Sequence, residues 1–351
     1  MAVDLGYANA RVRARKSYLF SRSFFEQLIQ AADLDEAISI LSQTRYKEDL
    51  ERGMYRRPGI GGAEEGLKNY FLRTVRELYS WVDPYMRHLL EIVMGRWDVY
   101  NLKSILRGKH FGASEEEIME SLLPAGGLSP TLLRELVRQP DVKATIDMLA
   151  TWRSPLASPL TQSFPEFARS GNLASLELQL DKYYYQYALG ELRQKNLNVQ
   201  LVREIIRQEI DFTNLMSLIK ATKEGLDTDE IKALFIEGGK NISKAMFDEM
   251  ASLTAPEEIV TYLEGTPFRE ALKAGLEDYF KTGFVSAIER RIEDYVVRKV
   301  VALFRADPLS IAIILAFIWG LFNEVVNLRI ILRGKAVKMK EDKIREALVL
   351  V

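Results

Sequence analysis

Three copies of one polar motif stand at equal intervals in the 351-residue sequence: Asp98-Val-Tyr-Asn101-Leu102-Lys-Ser-Ile-Leu-Arg107, Asp211-Phe-Thr-Asn214-Leu215-Met-Ser-Leu-Ile-Lys220 and Glu324-Val-Val-Asn327-Leu328-Arg-Ile-Ile-Leu-Arg333. The asparagines are 113 residues apart both times (214 − 101 and 327 − 214). On a helix, an acid and an asparagine three residues later share one face, a turn apart. That pair offers acceptors and donors, either to a polar partner on three equivalent faces or to buried backbone groups between helices. The terminal base (Arg107, Lys220, Arg333) lies where a cation favours the helix macrodipole by about 0.3–1 kcal/mol. An isoleucine follows each asparagine at the same distance, at Ile118, Ile231 and Ile344.

Other routes to chemistry are closed. There is no cysteine, and His88 and His110 are the only histidines, which removes thiolate chemistry and His-rich metal sites. Gly59-Ile-Gly61-Gly62 lacks the Gly-Lys-Ser/Thr of a phosphate loop. No nucleophile elbow is present. Asp33-Leu-Asp35-Glu36 and Asp227-Thr-Asp229-Glu230 read as acids at helix N-termini and not as Mg²⁺ ligands. The expectation is no catalytic residue, no cofactor, no metal and no small-molecule substrate. A net charge of −1 gives no case for a nucleic-acid partner.

Apolar residues recur at helical spacing from Leu67 to Leu106, from Leu173 to Ile219 and from Leu276 to Leu303, and no strand alternation is evident. Ahead of each stretch stands a serine-led segment: Ser21, Ser129 and Ser243, each placed to cap a short helix. The class is therefore all-α, one unit used three times. Gly-rich points at Pro124-Ala-Gly126-Gly127 and Gly238-Gly239 suggest units 1–123, 124–237 and 238–351. Gly108 and Gly334 follow the motif base and suit a left-handed C′ position. Ala221 replaces that glycine in the second copy, with Gly225 four residues on, so this helix is expected to run one turn longer. A new helix is expected at Asp307-Pro308. The apolar stretch Leu309 to Phe322, including Ile313 and Phe317, is short for a membrane span. It is a candidate for docking a partner, or for the core. The start, with Asp4, lacks a signal-peptide pattern.

Further segments carry a family resemblance. Tyr7-Ala-Asn9-Ala-Arg11-Val-Arg13-Ala14, Leu41-Ser-Gln-Thr44-Arg-Tyr46 and Asn323-Glu-Val-Val-Asn327-Leu-Arg-Ile-Ile-Leu-Arg333-Gly334-Lys335 resemble the C subunit of A-type ATP synthases and the similar d subunit of eukaryotic V-ATPases. The resemblance spans the chain. It implies three similar helical domains about a pseudo-threefold axis, forming a funnel. It implies a non-catalytic rotor adaptor that couples central-stalk subunits to the membrane proteolipid (c-type) ring and transmits torque for proton or sodium transport. The location implied is the cytoplasmic face of the membrane, as a peripheral protein. Arg107, Lys220 and Arg333 then become candidates for partner docking around one rim, together with Leu309, Ile313 and Phe317. A helical-repeat scaffold outside such ATPases is the alternative.

Overall fold

The computed structural model describes residues 5–350; residues 1–4, on which the reading of the start rests, lie outside them. The described residues hold twenty α-helices and no strand. They form two compact units, one of residues 1–87 with 297–351 and one of residues 88–296.

Local chemistry sets the short helices. Ser21, Ser129 and Ser243 each occupy the N-cap of the helix that follows and accept the N–H of Phe24, Leu132 and Met246. Asp33 and Asp227 are N-caps as well, accepting from Glu36 and Glu230, and Glu230 reaches back to complete a capping box. The three motifs lie on the helices Arg96–His110, Leu197–Glu224 and Ala312–Ala336. The third starts at Ala312, after a turn at Asp307–Ser310, a few residues beyond the expected Asp307-Pro308. Each motif helix is followed by a short helix, and these begin at Glu115, Thr228 and Glu341, again 113 apart (228 − 115 and 341 − 228). Ile118, Ile231 and Ile344 are the buried anchors of those short helices.

The helix ends correct the reading of the glycines. Gly108 and Gly334 are not left-handed C′ residues; both lie inside their helices, and a Cβ on either would run into the side chain of Ile118 or Ile344. They are glycines so that the short helix can pack against the long one. The left-handed positions come four residues later, at Gly112 (φ 71°), Gly225 (φ 74°) and Lys338 (φ 54°), themselves 113 apart. The residue after each donates its N–H back to the carbonyl of Gly108, Ala221 or Gly334, at 2.8, 3.1 and 2.8 Å. This is one Schellman ending made three times. The second helix stops at Glu224, one residue and not one turn beyond its counterparts at His110 and Ala336. Of these three positions, only Lys338 carries a side chain in this conformation. Lys338→Gly should therefore raise stability by about 1 kcal/mol and Gly112→Ala lower it by about the same, both read from chemical denaturation midpoints.

The first two motif helices are each covered by a serine-led hairpin that begins after them. The first packs against the helices Pro130–Val137 and Val142–Thr151, and the second against Lys244–Met250 and Pro256–Tyr262. The third is covered from the other direction. It packs instead against the first hairpin, Arg22–Gln30 and Leu34–Leu41, and against the helices Gly6–Lys16 and Ile60–Ser80. This third helix is long and apolar enough to span a membrane by length and composition, yet 78% of its most apolar window is buried inside the chain.

Candidate functional site

The asparagines act as backbone substitutes. Asn101 donates from Nδ2 to the carbonyl of Leu123 (2.8 Å) and accepts the Leu123 N–H on Oδ1 (2.7 Å). Asn214 binds both groups of Ile236 (2.8 and 2.8 Å), and Asn327 both groups of Val349 (2.8 and 3.0 Å). The partner lies 22 residues on in every copy. A carboxamide presents the same donor and acceptor pair as a peptide unit, so it can pair an extended segment that crosses a buried helix face. Leu102, Leu215 and Leu328, next to the asparagines, are fully buried.

The acids do a second job of the same kind. Asp98 accepts the N–H groups of Gly127 (2.7 Å) and Leu128 (2.9 Å). Asp211 accepts those of Lys240 (3.0 Å), Asn241 (2.8 Å) and Ile242 (3.1 Å). Leu128 and Ile242 immediately precede the capping residues Ser129 and Ser243, so each acid holds the entry of the hairpin that covers its helix. The Gly-rich punctuation has its cause here. Gly126 and Gly239 lack a Cβ because the carboxylates of Asp98 and Asp211 occupy that space.

Burial pushes the Asp98 carboxyl up to about 6, against the pull of its two backbone amides. Burial raises Asp211 as well. The folded state thus favours protonated Asp98. Its contribution is fully present below pH ~4, the ordinary carboxyl value, and is lost as pH climbs through about 6, a difference of ~3 kcal/mol. The unfolding free energy of the wild type minus that of Asp98→Asn should fall by this amount between pH 4 and 7. A difference that stays flat with pH would reject the assignment.

Glu324 completes the set by reaching back to the start of the chain. It accepts the N–H of Phe20 (2.6 Å), which immediately precedes Ser21, just as Leu128 and Ile242 precede their serines. It also accepts the Tyr46 hydroxyl (2.6 Å) and pairs with the Arg45 guanidinium. Arg45 lies 4.2 Å from the centre of the Phe20 ring. The longer glutamate suits this more crowded node. Asn9 donates to the carbonyls of Pro308 (2.7 Å) and Ser310 (2.9 Å), fastening the first helix to the turn that opens the third motif helix. So the segments around Thr44-Arg45-Tyr46 and Asn323-Glu324 meet at one node, and the segment around Asn9 is tied to the turn ahead of the same long helix, all inside one compact unit. Sequence reasoning sets these segments apart as motifs and does not join them, because their partners are about 280–300 residues away.

The motif bases follow the same rule. Arg107 makes a bidentate pair with Glu177 (2.5 and 2.5 Å), 70 residues on, and Lys220 pairs with Glu289 (2.9 Å), 69 on. Arg333 pairs with Glu64, 269 residues earlier. Three intervals of 113 make 339, and 339 − 269 is 70, so Glu64 stands where the next partner would be if the chain ran round to its own start. The three bases remain half exposed at the surface. Ile313 and Phe317 are buried, while Leu309 is 61% exposed. Arg96 pairs with Glu209, 113 residues away.

Among the described residues no cluster of three or more His, Asp or Glu is placed to hold a metal. What the regularly spaced residues build is an interlocked set of helix contacts. Comparison with known proteins gives the same pattern a wider setting. A model of the ATP synthase (C/AC39) subunit family matches residues 8–347. The chain is 32% identical to the C subunit of the A-type ATP synthase of Methanosarcina acetivorans, over 99% of this chain and 93% of the relative. It is 32% identical to the protein of the same name from Methanococcoides burtonii (99% and 94%) and 26% identical to that from Methanocaldococcus jannaschii (99% and 88%).

Proposed function

Since the chain belongs to the ATP synthase (C/AC39) subunit family, we propose that it is the non-catalytic adaptor of the central rotor of an A-type ATP synthase. In this reading it joins the central-stalk subunits to the membrane proteolipid ring on the cytoplasmic face, and carries torque between them. Its body is three similar helical units, near 1–123, 124–237 and 238–351, closed about a pseudo-threefold axis into a funnel. The observation that supports closure is the register of the third motif: Glu324 and Arg333 engage Phe20 and Glu64 as Asp98 and Arg107 engage Leu128 and Glu177. A set of equivalent contacts whose last member returns to the first describes a ring, whereas an open stack leaves its end contacts unmade.

Closure suits a part that transmits torque. Each motif helix is tied to the next repeat by a buried acid and a surface ion pair, so a twist applied to one unit loads all three. The test is association. The full chain should bind both the detergent-purified proteolipid ring and the isolated central-stalk subunits, seen by native mass spectrometry. Failure to bind either one removes the adaptor reading.

A further inference from the structure

The third Schellman ending differs from the other two in charge. Residues 335–343 hold four lysines and two acids, a net charge of +2. The equivalent residues 109–117 and 222–230 hold one lysine each against three and four acids, for −2 and −3. At the middle of the basic stretch is Lys338, at φ 54° where the other two copies have glycine. A glycine holds this conformation at less cost, so the turn itself does not call for the lysine. The backbone there is fixed: the N–H groups of Val337, Lys338 and Met339 bond to the carbonyls of Arg333 (3.1 Å), Lys335 (3.1 Å) and Gly334 (2.8 Å).

Every residue from Ala336 to Lys343 is exposed. Val337 is 70% exposed and Met339 45%, so apolar and basic side chains alternate in water over Val337, Lys338, Met339 and Lys340. Among the described residues neither Lys338 nor Lys340 makes an ion pair, whereas the two acids of the stretch, Glu341 and Asp342, lie beside Arg345 (3.9 and 2.8 Å). Lys343 pairs with Glu346 (2.7 Å), and Lys335 reaches the carbonyl of Ala31. Next to Ala31, the carboxylates of Asp33 and Glu36 are engaged by the N–H groups of Glu36 and Ala32. The tip is therefore positive and partly apolar, and the acids nearest to it in sequence are already matched.

The residue types choose the occupant. Residues 335–343 contain no arginine, so nothing there offers the planar fork that reads a single carboxylate. They contain no aromatic either, the usual anchor of a protein interface. Lysines are hydrated point charges on long flexible stems, and they suit a diffuse field of negative charge. Apolar side chains set between them can enter the boundary just below lipid headgroups. We propose that the loop 336–340 is a contact for an anionic phospholipid surface. Lys338 and Lys340 face the headgroups, and Val337 and Met339 enter between them. Each lysine beside such a surface strengthens binding about 5-fold, so the loop is an auxiliary hold and not an anchor. This contact goes beyond the adaptor reading and requires no other subunit.

Cosedimentation of the full-length chain with vesicles tests it, using phosphatidylcholine with phosphatidylserine and phosphatidylcholine alone. The wild type should partition onto the first, lose that binding as salt is raised, and leave the second nearly bare. Lys338→Glu with Lys340→Glu should lower partitioning by about 20-fold or more. Val337→Ser with Met339→Ser should lower it several-fold. Arg193→Glu with Lys195→Glu makes the same change of net charge in another exposed segment and should bind as the wild type does. Thermal melting checks that each variant keeps its fold. Absence of binding to phosphatidylserine, equal binding to both vesicles, or loop variants that bind like the wild type would each overturn the proposal, as would a control that loses binding as much as they do. So would vesicle binding that the lysine variant keeps while it loses the isolated stalk subunits or the ring, which would make the loop a protein contact. None of these results removes the adaptor reading, which is tested with subunits and not with lipid.

Discussion

Replacing Glu324 by alanine should cost the fold about 3–5 kcal/mol, the range for removing one partner of a buried ion pair. The Glu324 side chain is 3% exposed and that of Arg45 18%. Its loss strands three groups at once: the Arg45 guanidinium, the hydroxyl of the fully buried Tyr46 and the N–H of Phe20. Glu324→Gln keeps an acceptor and should cost clearly less. Urea denaturation gives the magnitude, and hydrogen exchange should show deprotection in the Arg22–Leu41 and Ala312–Ala336 segments before the rest. A loss under about 1 kcal/mol for Glu324→Ala would mean that the closing node carries little of the stability assigned to it.

The second large effect lies in the backbone contact between the helices Lys47–Arg56 and Ile60–Ser80. A Cβ at Gly62 would overlap the carbonyl oxygen of Arg57 and come within 2.7 Å of that of Gly53, and one at Gly66 would lie 2.7 Å from the Cα of Leu50. These neighbours are main chain and cannot rotate away. Gly62→Ala should therefore destabilise the protein by about 3 kcal/mol, the upper range for overpacking a core. Gly61→Ala, one residue earlier, is the matched control. Its Cβ meets only the flexible Arg57 side chain, at 3.0 Å and beyond, so the change should be nearly neutral. Thermal melts of both variants decide it, and equal melting temperatures would dismiss the close-contact account.

What can be read from sequence is what is local. The capping serines, the helical periodicity and the 113-residue interval each depend on residues within a turn or two, or on simple counting. Misreadings arise where a local rule meets a tertiary demand. Gly108 reads as a helix stop because it follows a base at the motif's end; in fact Ile118 needs its missing Cβ, and the stop is Gly112. The third stop is Lys338, a residue that no propensity would place at positive φ. Gly126 and Gly239 pass as punctuation because nothing nearby in sequence shows that a carboxylate occupies the Cβ space. The partners of Glu324 and Arg333 are out of reach for a simpler reason: they lie at the other end of the chain.

That last arrangement has a consequence for synthesis. During translation the hairpin Arg22–Leu41 leaves the ribosome early, with its apolar face made to cover a helix that begins at Ala312. Phe25, Leu28, Ile29, Ile38 and Leu41 must wait, uncovered, until nearly the whole polypeptide has been made. At about 5–20 residues per second that wait lasts tens of seconds. The residues 88–296 meet no such delay, since each hairpin there follows the helix that it covers. The nascent chain should therefore mature from its middle outward, and the early hairpin is the stretch that a holding chaperone would find.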